Sequence, residues 1–297
     1  IIVFYPKNGV SRMQEAQMLT TGGSNTTVIG VEGNFDDCQT MVKELFADRA
    51  LGERLSRAGF EFSSANSINW GRLVPQIVYY FHAYFALVDA GRLKPGAPCN
   101  FAVPTGNFGN ILAAYYARRM GLPVGRLICA SNKNRILTDF FATGSYDRNR
   151  DFHRTSSPSM DILISSNLER FLYDVSGFDG ERIQAWYGQL SSTGMFSIDG
   201  ETLDRIRGFL SAGAADEEAV RNEIRRAFRE HGYLMDTHTA VASHVAREYR
   251  QRTGDRTPLV IDSTASAFKF NQSVHEALTG EGRTDDEFVL LEALQEY

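Results

Sequence analysis

A loop with two glycines and two asparagines offers the clearest chemistry in this sequence. The residues Pro-Thr-Gly-Asn-Phe-Gly-Asn, at positions 104–110, lie between a buried apolar strand and the start of a helix. Glycines let the backbone curl closely around an anion, and the free N–H groups at a helix start point at it. The loop lacks the Lys-Ser/Thr pair of the P-loop and the glycine spacing of dinucleotide-binding folds. Taken alone, the loop leaves two roles open, a phosphate-binding site and an ordinary tight turn between a strand and a helix, and the turn is slightly favoured.

Small hydroxyl residues follow a second core strand. The segment Asp-Ser-Thr-Ala-Ser at 262–266 comes directly after the apolar residues 259–261. Because ligands of open α/β sheets bind at the carboxyl ends of strands, these hydroxyls could face a ligand. Capping of the next helix, predicted over 270–278, is the commoner role for such residues and is favoured on the residue types alone.

A third polar segment precedes a long apolar helix. Asn66, Ser67 and Asn69 stand in Ser-Ala-Asn-Ser-Ile-Asn at 64–69. They form either the polar wall of a ligand site or helix caps and an Asx turn. The residue types alone leave both roles open.

The histidines and cysteines do not form a catalytic or metal-binding pattern. His238 is more readily explained as a residue in the first turn of a helix than as a catalyst, and no histidine pair has zinc-site spacing. Cys38, Cys99 and Cys129 lie far apart in sequence, without disulfide or zinc spacing. Cys129 is predicted to be a core residue. No metal is expected, and the cysteine usage favours a cytoplasmic protein.

Alternating strand and helix patterns surround these segments. Strands are predicted at 1–5, 27–31, 100–103, 126–130 and 259–262, with helices between them. This order indicates an α/β fold of two open units, a smaller one over 1–55 and a larger one over 56–297. Residues 133–213 are predicted to be a mostly helical insertion in the larger unit. Because residues 1–5 have the pattern of a strand buried on both faces, the smaller unit is expected to be incomplete at its amino terminus.

Composition restricts the classes of partner. The 297 residues carry 36 acidic and 31 basic side chains, a formal net charge of −5, so neither nucleic acid nor an anionic membrane is expected to bind. No apolar run approaches the roughly 20 residues needed to span a bilayer. Aromatic residues make up 11 % of the chain, which is typical of a folded core rather than of disorder.

Five motifs, taken together and in order, resemble the threonine synthases of the bacterial and fungal type. They lie at 32–39, 64–70, 104–110, 157–161 with 165–170, and 236–240. These enzymes depend on pyridoxal 5'-phosphate (PLP) and have the fold-type II architecture of the tryptophan synthase β subunit. The resemblance covers about residues 1–280. It implies a lyase of threonine biosynthesis that converts O-phospho-L-homoserine and water to L-threonine and phosphate by β,γ-elimination and replacement.

The resemblance also implies roles for individual residues. Backbone N–H groups of the 104–110 loop would hold the cofactor phosphate, and a hydroxyl would hydrogen-bond the pyridine nitrogen, leaving it unprotonated. The implied cofactor-binding residues are Gly106, Asn107, Phe108, Gly109, Asn110 and Thr264. The implied substrate-binding residues are Asn66, Ser67, Asn69 and Lys269, the last as an anion contact.

One part of the family's chemistry has no counterpart in these residues. None of the five lysines stands in the aromatic-Lys-Asp-Phe context of the family's Schiff-base lysine. That lysine is expected in an amino-terminal segment upstream of Ile1, so the chain alone is expected to be inactive. The whole protein is expected to be a monomer or a homodimer. The alternatives are another fold-type II enzyme, a dehydratase or a sulfhydrylase, and a non-catalytic relative that binds phosphorylated ligands.

Overall fold

The computed structural model describes residues 1–7, 10–33, 35–63, 69–282 and 286–297. In chain order the strands are β1 (Ile2–Pro6), β2 (Thr27–Val31), β3 (Cys99–Pro104), β4 (Val124–Ser131), β5 (Ser145–Asp147), β6 (Met195–Ser197), β7 (Leu210–Ala214) and β8 (Leu259–Ile261). The α-helices are α1 (Arg12–Thr20), α2 (Phe35–Ala47), α3 (Arg49–Arg57), α4 (Trp70–Asp89), α5 (Gly109–Arg119), α6 (Ile136–Thr143), α7 (Leu168–Val175), α8 (Gly180–Thr193), α9 (Gly200–Arg207), α10 (Glu217–His231), α11 (Thr237–Thr253), α12 (Asn271–Thr279) and α13 (Glu287–Leu294). Short 3₁₀ helices lie at Pro158–Met160 and Ala267–Phe270.

The chain divides into two compact units, but not at the predicted place. Residues 1–64 and 284–296 form the first unit, and residues 65–283 with Tyr297 form the second. The division expected after residue 55 therefore lies later, and the final helix belongs with the smaller unit. The reason is a contact distant in sequence: the Glu287 carboxylate accepts hydrogen bonds from the N–H groups of Arg12 (3.2 Å) and Met13 (3.0 Å) at the start of α1.

The smaller unit contains a parallel pair of strands. β1 and β2 pair from Ile2 with Thr27 to Pro6 with Val31. The expectation that β1 is buried on both faces is wrong for its first half: Ile2 is 63 % exposed, whereas Tyr5 is buried. Among the described residues, β2 is the only strand that pairs with β1, so the other edge of β1 has no strand partner in this part of the chain.

The larger unit is built on a four-stranded parallel sheet with the order β7-β4-β3-β8. Every residue of β3 is buried, as expected for a continuous apolar run at the centre of a parallel sheet. α5 connects β3 to β4, and α11 packs against all four strands. The predicted strands at 100–103, 126–130 and 259–262 are confirmed to within two residues.

The predicted insertion contains one strand of the main sheet. Residues 133–213 were expected to be mostly helical, yet Leu210–Ala214 is β7, paired with β4 from Leu127 with Leu210 onward. Its small residues hide the strand pattern and have a packing cause: a Cβ on Gly213 would lie 2.7 Å from Cγ1 of Val245 on α11. The remainder consists of helices, the loops at 148–157 and 161–167, and the strands β5 and β6, which pair antiparallel.

All three cysteines lie among the described residues. Cys38, Cys99 and Cys129 are buried and unpaired, which confirms Cys129 as a core residue. Burial raises the pKa of the Cys99 thiol to about 11 and that of Cys129 to about 12, so both are protonated at neutral pH.

Among the described residues, no helix is both long and apolar enough to cross a membrane. The cytoplasmic location stays a prediction.

Candidate functional site

The loop between β3 and α5 has an unusual backbone. Phe108, directly before α5, adopts a left-handed conformation (φ 63°, ψ 7°), which is uncommon for a bulky residue. Its side chain does not cap the helix. Instead the ring is fully buried, with its centroid 5.1 Å from that of Phe171 and 5.9 Å from that of Phe141. Burial of this ring offsets the backbone strain, so the loop keeps a conformation that a flexible turn would not hold.

This conformation leaves a row of backbone donors without acceptors. Among the residues that the structure describes, none accepts a hydrogen bond from the N–H groups of Gly106, Asn107, Phe108, Gly109 or Asn110. Gly106, Phe108 and Gly109 are buried. Unpaired buried N–H groups are costly, whereas five in succession at the positive end of an 11-residue helix form a site suited to an anion.

The carbonyl groups of the same loop are held by a distant segment. Ser165 Oγ donates to the Gly106 carbonyl at 2.8 Å. The backbone N–H and the side-chain Nδ2 of Asn167 both donate to the Asn107 carbonyl at 3.0 Å. Because Ser165 and Asn167 hold these carbonyl groups, the N–H groups of the loop stay turned away from the 165–167 segment. The motif at 165–170 therefore has a clear structural role, which is to orient the loop.

Asn167→Ala tests this role. The substitution removes the side-chain donor to the partly buried Asn107 carbonyl, which keeps the backbone N–H of Asn167 as its partner, so we expect a loss of about 0.5–1.5 kcal/mol in the free energy of unfolding. Anion binding by the loop should weaken as well. Urea unfolding measures the first effect and calorimetric titration with sulfate the second. Asn222→Ala, an exposed asparagine on α10, is the control and should change neither quantity measurably; equal behaviour of the two variants would contradict the assigned role.

A second segment packs directly on the loop. A Cβ on Gly106 would lie 2.5 Å from the carbonyl oxygen of Ser159, so glycine is required there. The N–H of Ser159 donates to Nε2 of His238 at 3.2 Å, and Nδ1 of His238 lies 3.1 Å from Oδ1 of Asp236. Nε2 is thus the acceptor and Nδ1 carries the proton. His238 lies in the first turn of α11, as predicted, and it anchors the segment that packs on Gly106.

Asp236 holds this histidine in place. Its side chain caps α11 by accepting from the N–H of His238 at 2.8 Å. Burial tends to raise the pKa of this carboxyl group, but hydrogen bonds from His238 and Thr239 outweigh it and hold the pKa below its usual value. The carboxylate is therefore ionised at neutral pH, and the neutral imidazole is fixed in one tautomer.

Sequence reasoning missed a polar network on the other side of the 157–161 segment. The side-chain amides of Asn132 and Asn134 donate to Oδ1 of Asp161 at 2.7 and 2.9 Å. Both asparagines directly follow β4. The rule that locates functional residues at the carboxyl ends of parallel strands would have identified them.

The segment with Thr264 leaves the sheet beside the loop. β8 is the neighbour of β3, with Ala102 opposite Ile261, and the N–H of Asp262 donates to the Ala102 carbonyl at 2.9 Å. Adjacent strands lie about 4.8 Å apart. The structure thus brings the 106–110 loop and Thr264, the residues predicted to hold opposite ends of one small molecule, to the same edge of the sheet.

The remaining predicted site residues have local roles in the structure. Asn69 caps α4, accepting from the N–H of Gly71 at 2.9 Å, so the capping alternative holds there. Ser266 caps the 3₁₀ helix at Ala267–Phe270 and not the predicted helix, since α12 begins after Phe270 without a side-chain cap. Nζ of Lys269 lies 5.7 Å from the centroid of the Phe270 ring. Asn66 and Ser67 lie outside the described residues. The substrate-binding role of these residues stays a prediction.

Comparison with known proteins gives the family. A family model described as "Threonine synthase, C-terminal" matches residues 239–297. The threonine synthase of Pseudomonas aeruginosa is 40 % identical over 284 residues, and human threonine synthase-like 1 is 43 % identical over 280. The chain belongs to the threonine synthase family. These matches cover 95 % and 94 % of the chain, but the chain spans only 57 % and 37 % of the two relatives.

Solved structures of this family have the same fold. A PLP-bound threonine synthase from Brucella melitensis superposes with a TM-score of 0.86 at 39 % identity, covering 98 % of this chain and 60 % of that one. The yeast threonine synthase gives 0.84 at 32 %, with the same coverage. Maize serine racemase, at 11 % identity and a TM-score of 0.56, shares the fold alone. The fold-type II architecture expected from the resemblance is confirmed.

Proposed function

We propose that this chain forms the cofactor-phosphate part of a threonine synthase that converts O-phospho-L-homoserine and water to L-threonine and phosphate. The observation that carries the proposal is the row of five N–H groups from Gly106 to Asn110, for which the described residues provide no acceptor. They suit the phosphate of PLP in number and charge. A threonine synthase with 39 % identity to this chain is described as PLP-bound, which supports the same cofactor here.

The chain's own residues would divide the work as follows. The N–H groups of Gly106–Asn110 and the positive end of α5 hold the phosphate group without a charged side chain. The Thr264 hydroxyl, at the same edge of the sheet, hydrogen-bonds the ring nitrogen, and Lys269 contacts an anionic group of the substrate. When bound, the cofactor supplies the electron sink for breaking bonds at the substrate's carbon atoms.

The lysine that binds the cofactor covalently is a separate matter. No lysine of this chain stands in the sequence context of the family's Schiff-base lysine. We propose that this amine comes from outside the 297 residues and that the chain alone binds the cofactor without turning over substrate.

A ligand without an aldehyde tests the phosphate site directly. Pyridoxine 5'-phosphate cannot form a Schiff base, so its binding reports the phosphate and ring contacts alone. We expect saturable calorimetric binding that inorganic phosphate displaces, and much weaker binding of pyridoxine. Equal affinity for pyridoxine and its phosphate would overturn the proposal.

Covalent attachment and the reaction need their own measurements. A lysine labelled from within the phosphate site would be protected by inorganic phosphate. After incubation of the chain with PLP and borohydride, mass spectrometry should find no adduct with that property. In the presence of the family's lysine-bearing segment, phosphate release from O-phospho-L-homoserine should exceed ammonia release from threonine or serine. The opposite preference would favour a dehydratase.

A second candidate is a relative that binds phosphorylated ligands without turnover. It is favoured by one observation: proteins named threonine synthase-like 1 match at 43 % identity, slightly above the 40 % of the Pseudomonas aeruginosa enzyme. Tight pyridoxine 5'-phosphate binding without phosphate release by the longer protein would support this candidate.

A further inference from the structure

A buried tyrosine connects the two parts of the proposed cofactor site. Tyr80, on α4, is 2 % exposed, and its ring packs edge-on against Phe101 of β3 with the centroids 5.3 Å apart. Its hydroxyl oxygen lies 2.8 Å from the carbonyl oxygen of Asn110 and 2.6 Å from Oδ2 of Asp262. Asn110 is the last of the five donors of the loop, and Asp262 precedes Thr264 by two residues. One hydroxyl thus touches both segments.

The number of protons in this contact matters. A tyrosine hydroxyl has one proton to donate, and a backbone carbonyl can only accept. If the Asp262 carboxyl group is ionised, the Tyr80 hydroxyl faces two acceptors with one proton, and one of the two receives no hydrogen bond from it. If Asp262 is protonated, its O–H donates to Tyr80 Oη and the Tyr80 O–H donates to the Asn110 carbonyl, so that both contacts are satisfied.

We propose that Tyr80 and Asp262 are positioning residues that tie the phosphate loop to the segment of Thr264, and that this link is complete only when Asp262 carries a proton. The inference rests on the proposed function, because it assigns the link to the same anion site. Neither residue is a group that contacts the reacting atoms.

The surroundings of Asp262 favour a proton there at mildly acidic pH. Burial raises the pKa of this carboxyl group to about 6, and the hydrogen bond from Tyr80 opposes the rise only in part. Tyr80 is the titratable group that faces it from α4. On the α11 side, Ser263 Oγ lies 3.3 Å from Thr239 Oγ1 and 3.5 Å from Tyr233 Oη. Thr239 in turn donates to the ionised Asp236. Among the described residues, no arginine, lysine or histidine pairs with Asp262.

The link predicts how anion affinity depends on pH. Protonation of Asp262 removes a negative charge beside the anion site and restores the donor to the Asn110 carbonyl. A bound anion in turn raises the pKa of Asp262 further, because it disfavours the ionised carboxylate. By linkage, anion affinity is high below the Asp262 pKa and falls as pH rises through about 6.

Sulfate is the probe that isolates this effect, since its charge stays constant over the pH range in which a phosphate monoester titrates, near pH 6. Calorimetric titration from about pH 5 to about pH 8 should show a roughly tenfold loss of affinity, the change that corresponds to a one-unit rise in the Asp262 pKa on binding. In Asp262→Asn the amide donates to Tyr80 Oη as the protonated acid does. We expect this variant to keep the low-pH affinity throughout, and Tyr80→Phe to bind weakly throughout.

Asp255→Asn is the matched control. Asp255 also accepts a tyrosine hydroxyl, that of Tyr249 at 2.7 Å, but it lies before β8, at the opposite end of the strand from Asp262. Hydrogen bonds, chiefly from Thr257, hold its pKa far below neutrality, so the control should keep the wild-type pH profile. An Asp262→Asn variant with the wild-type pH profile would overturn the link while leaving the anion site intact. If sulfate bound at no pH, the proposed function and the link would both fail.

The pH dependence of the free energy of unfolding, measured without ligand, tests the link independently of anion binding. A carboxyl group whose pKa is higher in the folded state costs stability once it ionises. The wild-type free energy of unfolding should therefore carry a contribution that declines from about pH 4 to about pH 6. Asp262→Asn should lack that decline, and an unchanged profile would refute the link.

Discussion

Gly106→Ala is expected to weaken oxyanion binding by the 106–110 loop severely. The added Cβ would lie 2.5 Å from the Ser159 carbonyl oxygen and 3.2 Å from the Met160 Cα, and both are backbone atoms. They cannot retreat freely, because His238 holds the N–H of Ser159. The loop must therefore move, and its N–H groups no longer point at the same anion. Since a hydrogen bond to a charged group contributes about 1.5–3 kcal/mol, misplacing two donors weakens binding on the order of a hundredfold or more.

Stability should fall less than binding does. Overpacking at a single buried position costs about 1–3 kcal/mol, so the variant should still fold. Gly188→Ala is the control, since on the exposed part of α8 the added Cβ meets no atom within 4 Å beyond the neighbouring backbone of its own helix. That change should leave sulfate affinity unaltered and raise the free energy of unfolding by at most about 1 kcal/mol. Sulfate binding by Gly106→Ala at wild-type affinity would remove the loop from the site.

The sequence identifies the site's strands and its loop because those features are local. β3 is a continuous apolar run, and a glycine pair between a strand and a helix indicates a phosphate loop within seven residues. A short window of sequence contains everything needed for these features. The role of Thr264 came instead from the family resemblance, because the residue types of 262–266 alone favoured helix capping, and the pairing of β8 with β3 is distant in sequence.

The residues that hold the loop could not be found in this way. Ser165 contacts Gly106 across 59 positions, and His238 contacts Ser159 across 79. Side-chain hydrogen bonds over such separations follow no periodicity, so His238 was identified as a helix residue but not as an anchor. β7 was missed for a related reason: its small residues are dictated by Val245 of α11, a constraint that exists only in the folded structure.

A buried carboxylate far from the loop should have the largest effect on stability. Glu223, on α10, has a fully buried side chain whose oxygens lie 2.6 Å from Nη2 of Arg226, 3.2 Å from Nη2 of Arg247 and 2.6 Å from Oγ of Ser243. Ser243 and Arg247 are on α11, so this cluster fastens α10 to α11. Glu223→Ala leaves two guanidinium groups without their shared buried partner, but both stay partly exposed and Arg226 keeps its ion pair with Glu230. We therefore expect a loss of about 3 kcal/mol in the free energy of unfolding, at the low end for breaking a buried ion pair, measured in urea.

The pH dependence gives this prediction its sign. Burial tends to raise the pKa of Glu223, but the hydrogen bonds from Arg226 and Ser243 outweigh it and hold the pKa below its ordinary value of 4.5. A carboxyl group with a lowered pKa in the folded state stabilises fully above its unfolded value, and this contribution is lost as pH falls through the folded value. Wild-type stability should thus decline in acid below about pH 4.5, and Glu223→Ala should show a smaller decline.

An exposed ion pair of the same chemistry provides the control. Glu201 pairs with Arg205 at 3.0 Å, but its side chain is 81 % exposed, so Glu201→Ala should change stability by no more than about 0.5 kcal/mol. Equal losses in the two variants would show that burial is not the cause. Because α11 begins with the turn that carries His238, a folded Glu223→Ala variant should also bind sulfate more weakly than wild type. A change in the packing of α10 against α11 should therefore alter both the stability of the protein and the geometry of the anion site.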